Sequence, residues 1–465
     1  KALKIALAIV ISVGLLRAQS LSVRLITPSH IENHKIHPSR LESWLSQILD
    51  EWRTQGYWSA RLSLEKDSTA EGEYLQVQVV PGAEPQIVQL HFRGARITKP
   101  STFERAFGME ERPLTSKDLP LIVRRLREQG LGDLEPVRIH SLGNNRYSVT
   151  YLVQNEKDLQ FTGFLGYQGN TRSDSGRWLG RLQFQIPSLL GSGRSFSFRW
   201  ERLRNNSEKV EVAYHDPWFF NTFWEAGILY QREVVGGQYL TILRAFTFGY
   251  PVNRHNLLEF AYRREQSILT PTGRSAHPQW QEQNRDLLGV HYRREWGGIA
   301  DGNWGRFRAG FSRQLRLQPG VVQRLELALK TRLKIGTGWD LLLRQGATVQ
   351  TGPDATTDPG LWQPLGGIGT VRGYAQEEVR GVSVGWSQQD LIWRPGNTAW
   401  HFFIDLGMIS LPEGDSQRLW GYGMGAFFNT NSGLVDVSLA WHPGINLQGA
   451  FVHIVLREVA WWIGH

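Results

Sequence analysis

The chain has 465 residues, a formal net charge of +9, 20% charged residues and a mean hydropathy of −0.34. These values exclude a bundle of membrane-spanning helices, and the absence of cysteine excludes disulfides, thiolate metal sites and a cysteine nucleophile. Yet 49 Gly, 19 Trp, 21 Phe and 13 Tyr are many for a water-soluble domain, and strands that alternate lipid-facing apolar with lumen-facing polar residues reconcile the two.

Residues 1–19 read as a secretory signal peptide. Lys1 and Lys4 precede an apolar run from Ile5 to Leu16, and Arg17, Ala18, Gln19 and Ser20 follow, with cleavage expected near Ala18. The run is shorter than the ~20 residues of a full helical span.

From there to about Lys157, helical and strand patterns alternate, as in two small α+β modules over 20–83 and 84–157, the first only partly patterned. In the first, Leu41, Trp44, Leu45, Ile48, Leu49 and Trp52 have helical spacing between Pro38 and Gln55. Strands Ser59–Glu65 and Tyr74–Val80 follow, closed by Pro81 and Gly82. The second opens with strand Gln86–Phe92. A short helix around Thr102–Phe107 and a helix from Ser116 to Gln129 come next, with Ser116 as N-cap and Gly130 just past the end. Strands Val137–His140 and Arg146–Val153, separated by Gly143, Asn144 and Asn145, complete it.

Residues 158–465 read as strands and turns throughout. Sixteen are expected, starting at Leu159–Tyr167 and ending at Gly449–Arg457, or about 19 residues per strand with its connection. Val210, Val212 and Tyr214 oppose Glu211 and Ala213; Phe402, Ile404 and Leu406 oppose Phe403, Asp405 and Gly407. An even number of antiparallel strands closes without edges, as a bilayer requires. The fold class is therefore an all-β transmembrane barrel of sixteen antiparallel strands preceded by two small α+β modules. Positive charge is spread along the strands with no basic helix or patch, so anionic lipid or an acidic client is expected as partner and nucleic acid is not.

The longest stretch without strand pattern in this half runs from Thr351 to about Glu378. It contains Gly366, Gly367, Ile368, Gly369, Thr370, Val371, Arg372, Gly373 and Tyr374. This is no dinucleotide fingerprint, because the sixth position is Arg372 and no βαβ unit surrounds it. Val371, Arg372, Gly373 and Tyr374 after the Gly366–Gly367 pair resemble the loop-six signature of the BamA/TamA superfamily of outer-membrane assembly factors. Further likenesses occur in the family's order. Pro187 to Gly193 followed by Ser195 to Phe198 resembles its second hairpin, and Asp216, Pro217 and Trp218 resemble the turn ending its fourth strand. Phe403, Asp405 and Gly407 resemble the Phe-x-Asp-x-Gly of its thirteenth strand; Gly421, Gly423, Gly425, Thr430 and Gly433 resemble the approach to its penultimate strand. The resemblance spans the chain after the signal peptide, and makes the N-terminal modules POTRA-like.

The resemblance implies that Arg372 anchors the loop in the lumen on Asp405, which strand alternation also turns inward; Asp390 is a second expected partner. It further implies a weakly paired seam between first and last strands, where Gly163, Gly166 and Gly449 leave side-chain packing thin. The expected function is insertion and assembly of outer-membrane proteins. The POTRA-like arm in the periplasm accepts unfolded outer-membrane or secreted clients, and the first strand templates them by β-augmentation. The module strands Tyr74–Val80 and Arg146–Val153 are candidate docking edges of the same kind. Accessory lipoproteins, periplasmic proteins and outer-membrane lipids are further expected partners; no cofactor or metal is expected.

Trp461 and Trp462 run past the expected last strand and leave the seam register open. The rival within the superfamily is a two-partner-secretion transporter exporting one dedicated client. That class adds a plug helix and linker ahead of the modules, for which Ser20 to Pro38 leaves little room. His-Glu-x-x-His does not occur, and a barrel lipase or protease is not expected. A passive porin gives no reason for Arg372, Gly373 and Tyr374 or for the N-terminal arm.

Overall fold

The computed structural model describes residues 21–28, 31–54, 56–69, 72–108, 114–168, 177–204, 207–297, 303–315, 321–352, 354–395, 398–430, 433–446 and 449–457. The expected signal peptide and the Trp461–Trp462 tail lie outside them.

The first module consists of β1 (Leu21–Ile26), β2 (Ile31–Ile36), α1 (Leu41–Thr54), β3 (Arg61–Thr69) and β4 (Gly72–Val80). Its sheet has the order β2-β1-β4-β3, with β1 parallel to β4. Leu41, Leu45 and Ile48 recur every three or four residues, so α1 has one apolar stripe. That stripe packs on Val23 and Leu25 from β1 and on Leu75, Val77 and Val79 from β4, where alternation turns every second residue to the helix. The β1–β2 hairpin was not among the expected elements. Its signal, Leu21, Val23 and Leu25 against Ser22 and Arg24, is one short period-two run.

The second module comprises β5 (Gln86–Arg93), α2 (Pro100–Phe107), β6 (Leu114–Thr115), α3 (Leu119–Glu128), β7 (Asp133–Gly143) and β8 (Arg146–Gln154). Its sheet order is β6-β5-β8-β7. Phe92, Phe107 and Tyr151 cluster with ring centroids 5.4–6.0 Å apart, and burial pushes the Tyr151 hydroxyl well above its ordinary pKa. Ser116 is not the helix cap: its hydroxyl donates to the Gly56 carbonyl at 2.6 Å, and α3 starts three residues later. Gly130 does end the helix, at φ +78°, with Leu131 N–H bonded to the Leu126 carbonyl at 3.0 Å. The expected docking strands are misplaced. β4 and β8 are interior and paired on both sides; the edges are β2 and β3 in one sheet, β6 and β7 in the other.

The barrel begins with β9 (Gln160–Gln168), β10 (Arg177–Ile186), β11 (Ser195–Arg204), β12 (Ser207–Asp216), β13 (Glu225–Val235) and β14 (Tyr239–Pro251). It continues through β15 (Asn256–Leu269), β16 (Gln283–Gly297), β17 (Trp304–Gln314), β18 (Gln323–Gly336) and β19 (Trp339–Thr351). A loop hairpin of β20 (Gln363–Leu365) and β21 (Val379–Gly381) intervenes. β22 (Ser383–Trp393), β23 (Ala399–Ser410), β24 (Ser416–Thr430), β25 (Gly433–Trp441) and β26 (Phe451–Arg457) complete it. Sixteen strands follow one another in a single antiparallel sheet from β9 to β26, each with a counterpart in the sequence expectation. Among the described residues no pairing joins β9 to β26, the two ends of that order.

Along β23, Trp400, Phe402, Ile404, Leu406 and Met408 are exposed while His401, Phe403 and Asp405 are buried. On β16, Leu288, Val290 and Tyr292 are exposed while Arg285, His291 and Glu295 are buried. An apolar exterior over a charged interior is the inverse of a water-soluble fold and fits a barrel immersed in lipid. Among the described residues no helix is long and apolar enough to cross a membrane.

Helix α3 is fastened to the β16–β17 end of the barrel. Glu295 takes Arg125 Nε at 2.7 Å, Arg124 Nη2 at 3.3 Å and Arg306 Nε at 2.8 Å. Arg306 also reaches Glu128 at 2.7 Å, and Arg124 donates to the Trp296 carbonyl at 2.9 Å.

Candidate functional site

The connection from β19 to β22 folds inward. After Pro359–Leu361 it forms the β20–β21 hairpin, whose tip carries Gly366 to Tyr374. The tip turns back on itself: Gly367 N–H donates to the Val371 carbonyl at 2.9 Å, and Gly366 N–H to Thr370 Oγ1 at 2.9 Å. Val371 and Tyr374 then pack with Leu365, Val384, Ile409 and Leu419 in an apolar seat on the wall.

Arg372 is buried in this seat. Its Nε and Nη2 each lie 2.7 Å from one oxygen of Asp405, a two-pronged bond, and its backbone N–H donates to Asp405 at 2.9 Å. Its Nη1 donates to Asp390 Oδ1 at 2.7 Å. The guanidinium carbon also lies over Phe403, 3.6 Å from the ring centroid. Asp390 in turn accepts from Arg344 Nη2 at 2.8 Å and faces His401 Nδ1 at 3.2 Å. His401 Nε2 stands 3.1 Å from Asp436 on β25.

Two glycines make the seat possible. A side chain at Gly421 would place its Cβ 1.8 Å from the Arg372 carbonyl oxygen, and one at Gly373, itself at φ +91°, would meet the Trp441 carbonyl at 2.6 Å. The loop backbone thus lies directly on β24 and the end of β25.

The other side of the loop reaches the opposite part of the wall. Asp358 pairs with the fully buried Arg285 of β16, and Thr357 accepts from Gln281 N–H at 3.1 Å. Trp362 meets Trp280 edge to face at 5.4 Å, and Arg380 pairs with Glu233 of β13. The loop therefore spans the interior from β13–β16 to β22–β25.

Of the residues singled out in the sequence, Val371, Arg372, Gly373, Tyr374, Gly366, Gly367, Asp405 and Asp390 come together here. Gly163 and Gly166 lie apart from them in the end strand β9, opposite Leu182 and Leu179. Gly449 is not in the last strand. Its N–H closes a turn on the Asn446 carbonyl at 2.8 Å, and β26 starts only at Phe451, because the turn spends the residues read as the strand's beginning. Sequence reading missed Arg344, His401, Phe403 and Asp436 as parts of the cluster. His401 and Phe403 share a strand face with Asp405, at spacings of four and two; Arg344 and Asp436 become visible only through cross-strand register.

No protein-family model and no curated protein sequence matches the chain. Among solved structures it is similar to CdiB from Escherichia coli, at 14% identity and a TM-score of 0.56, over 95% of this chain and 90% of that one. It is also similar to CdiB from Acinetobacter baumannii, at 13% identity and 0.50, over 92% and 87%. BamA from Haemophilus ducreyi lacking POTRA domains 1-3 matches at 15% identity and 0.47, over 89% and 92%. The two CdiB likenesses show that the chain shares this fold.

Proposed function

We propose that the chain is a member of the BamA/TamA superfamily that handles unfolded client polypeptides at the outer membrane, inserting and assembling outer-membrane proteins. The observation that carries this reading is the buried Arg372, held by Asp405 and Asp390 in a loop that spans the lumen. Three charges are withdrawn from water to fix that loop, which a passive pore does not need. The N-terminal modules stand in the periplasm and offer β2, β3, β6 and β7 as open edges. Nine consecutive residues of β7, Glu135 to Gly143, are exposed, including Val137, Ile139 and Leu142. Such an edge suits capture of an extended client through main-chain hydrogen bonds. β9, with Gly163 and Gly166, is the matching edge within the barrel, and lateral opening between β9 and β26 releases the client to the bilayer.

A second reading, export of one dedicated client through the lumen, is favoured by the loop's position as a plug across the interior. The two readings differ in which barrier opens, the seam or the plug. Depletion in the native host, with the outer-membrane and secreted proteomes quantified side by side, separates them. Loss of many unrelated barrels from the membrane is the expected result. Loss of one secreted protein with an unchanged membrane would replace assembly by dedicated export, and no change in either proteome would overturn both.

A further inference from the structure

We infer that His401 is a positioning residue that couples the Arg372 clamp to the barrel's terminal strands, acting as a doubly protonated ring held between Asp390 and Asp436. The inference rests on the second reading above, in which the lumen loop is a plug across the interior.

His401 is fully buried on β23, and both ring nitrogens face carboxylates: Nδ1 at 3.2 Å from Asp390 Oδ1, Nε2 at 3.1 Å from Asp436 Oδ1. A neutral imidazole donates at one nitrogen only and turns a lone pair toward whatever faces the other. With ionised carboxylates at both, the arrangement requires two N–H groups. The charges agree. With His401 as imidazolium, three cations, Arg344, Arg372 and His401, meet three carboxylates, Asp390, Asp405 and Asp436, in one buried cluster.

The position is built for this ring. Phe427 of β24 stacks on it at 4.5 Å and Phe403 of its own strand at 5.7 Å. Gly425 of β24 leaves its space open, since a Cβ there would lie 2.3 Å from Nε2. Asp390 faces it from β22 and Asp436 from β25, while His453 of β26 lies within electrostatic reach of Arg372, Asp405 and Asp436. Asp390 Oδ1 is shared: the oxygen that meets His401 also takes Arg372 Nη1 at 2.7 Å. Asp436 sits on β25, whose other neighbour is the end strand β26. Through one ring, the loop's anchor and the last hairpin are joined, so loosening either is felt by the other.

The test is single-channel recording of the full-length protein in planar bilayers from about pH 5 to pH 10, a range that brackets ordinary imidazole titration. Wild-type opening is expected to become more frequent as pH rises and the ring loses its second proton. His401→Gln, which cannot donate to both carboxylates, is expected to open about tenfold or more often at neutral pH, as befits loss of a charged hydrogen bond, and to lose that pH dependence. In the Arg372→Ala background the same change should add nothing further. If His401→Gln does not fold to the heat-resistant form, Asp436→Asn breaks the same link from its other end. Unchanged opening and unchanged pH dependence in a folded His401→Gln or Asp436→Asn protein, with Arg372→Ala still effective, overturns the inference alone. An ineffective Arg372→Ala overturns the plug reading beneath it.

Discussion

Arg372 and Asp405 meet through three hydrogen bonds, two from the guanidinium at 2.7 Å and one from the Arg372 backbone amide at 2.9 Å. The carboxylate thus fixes both the side chain and the path of the loop backbone, while Asp390 takes the remaining guanidinium arm. Charge-assisted pairs of this two-pronged kind are specific in geometry as well as strong.

Arg372→Lys is therefore expected to behave almost as poorly as Arg372→Ala. An ammonium is a point charge that cannot bridge Asp405 and Asp390 in this geometry. Either change leaves buried carboxylates short of a partner, a loss of about 3–5 kcal/mol where a buried pair is broken. The urea midpoint of the detergent-folded protein checks this; a Lys variant with the wild-type midpoint would show that charge alone suffices.

Gly421→Ala tests the same seat without touching a charge. Its methyl would fall 1.8 Å from the Arg372 carbonyl oxygen, so the loop cannot lie where it does. The barrel strands themselves have no reason to unfold. The expected result is wild-type heat-resistant migration on gels together with a loop newly open to protease. A loop as resistant as in the wild type would place the seat elsewhere.

Glu295→Gln should loosen α3 from the barrel. One carboxylate holds Arg124, Arg125 and Arg306 there, and a neutral amide leaves buried or half-buried cations facing one another. Faster proteolytic cleavage near Lys157, with an unchanged barrel fragment, is expected. A change in barrel stability with no change in cleavage would contradict a docking role.

Much of this was open to sequence reading because a barrel strand has the simplest periodicity there is. Phe402, Ile404 and Leu406 against Phe403, Asp405 and Gly407 fixes which way Asp405 points, and so restricts what Arg372 can reach. The β1–β2 hairpin escaped because six-residue strands carry only three informative positions each. Gly449 was misassigned because glycine marks a strand's start and a turn's end equally well. His401 and Asp436 escaped for a different reason. Alternation says which face a residue takes, but not which residue of a neighbouring strand lies beside it, and that register depends on turns and bulges summed around the sheet.

The most direct measurement is of pore conductance when the loop is tethered covalently in the absence of its arginine. The chain has no cysteine, and a Cβ at Gly407 would lie 2.7 Å from a Val371 side-chain carbon. A Val371→Cys/Gly407→Cys pair therefore has the proximity to cross-link unambiguously. In an Arg372→Ala background, the reduced protein should conduct with frequent wide openings, and oxidation of the pair should close it again. Wide conductance that persists after complete cross-linking, or a reduced Arg372→Ala protein as closed as the wild type, would contradict the claim that Arg372 clamps the loop as a plug across the lumen.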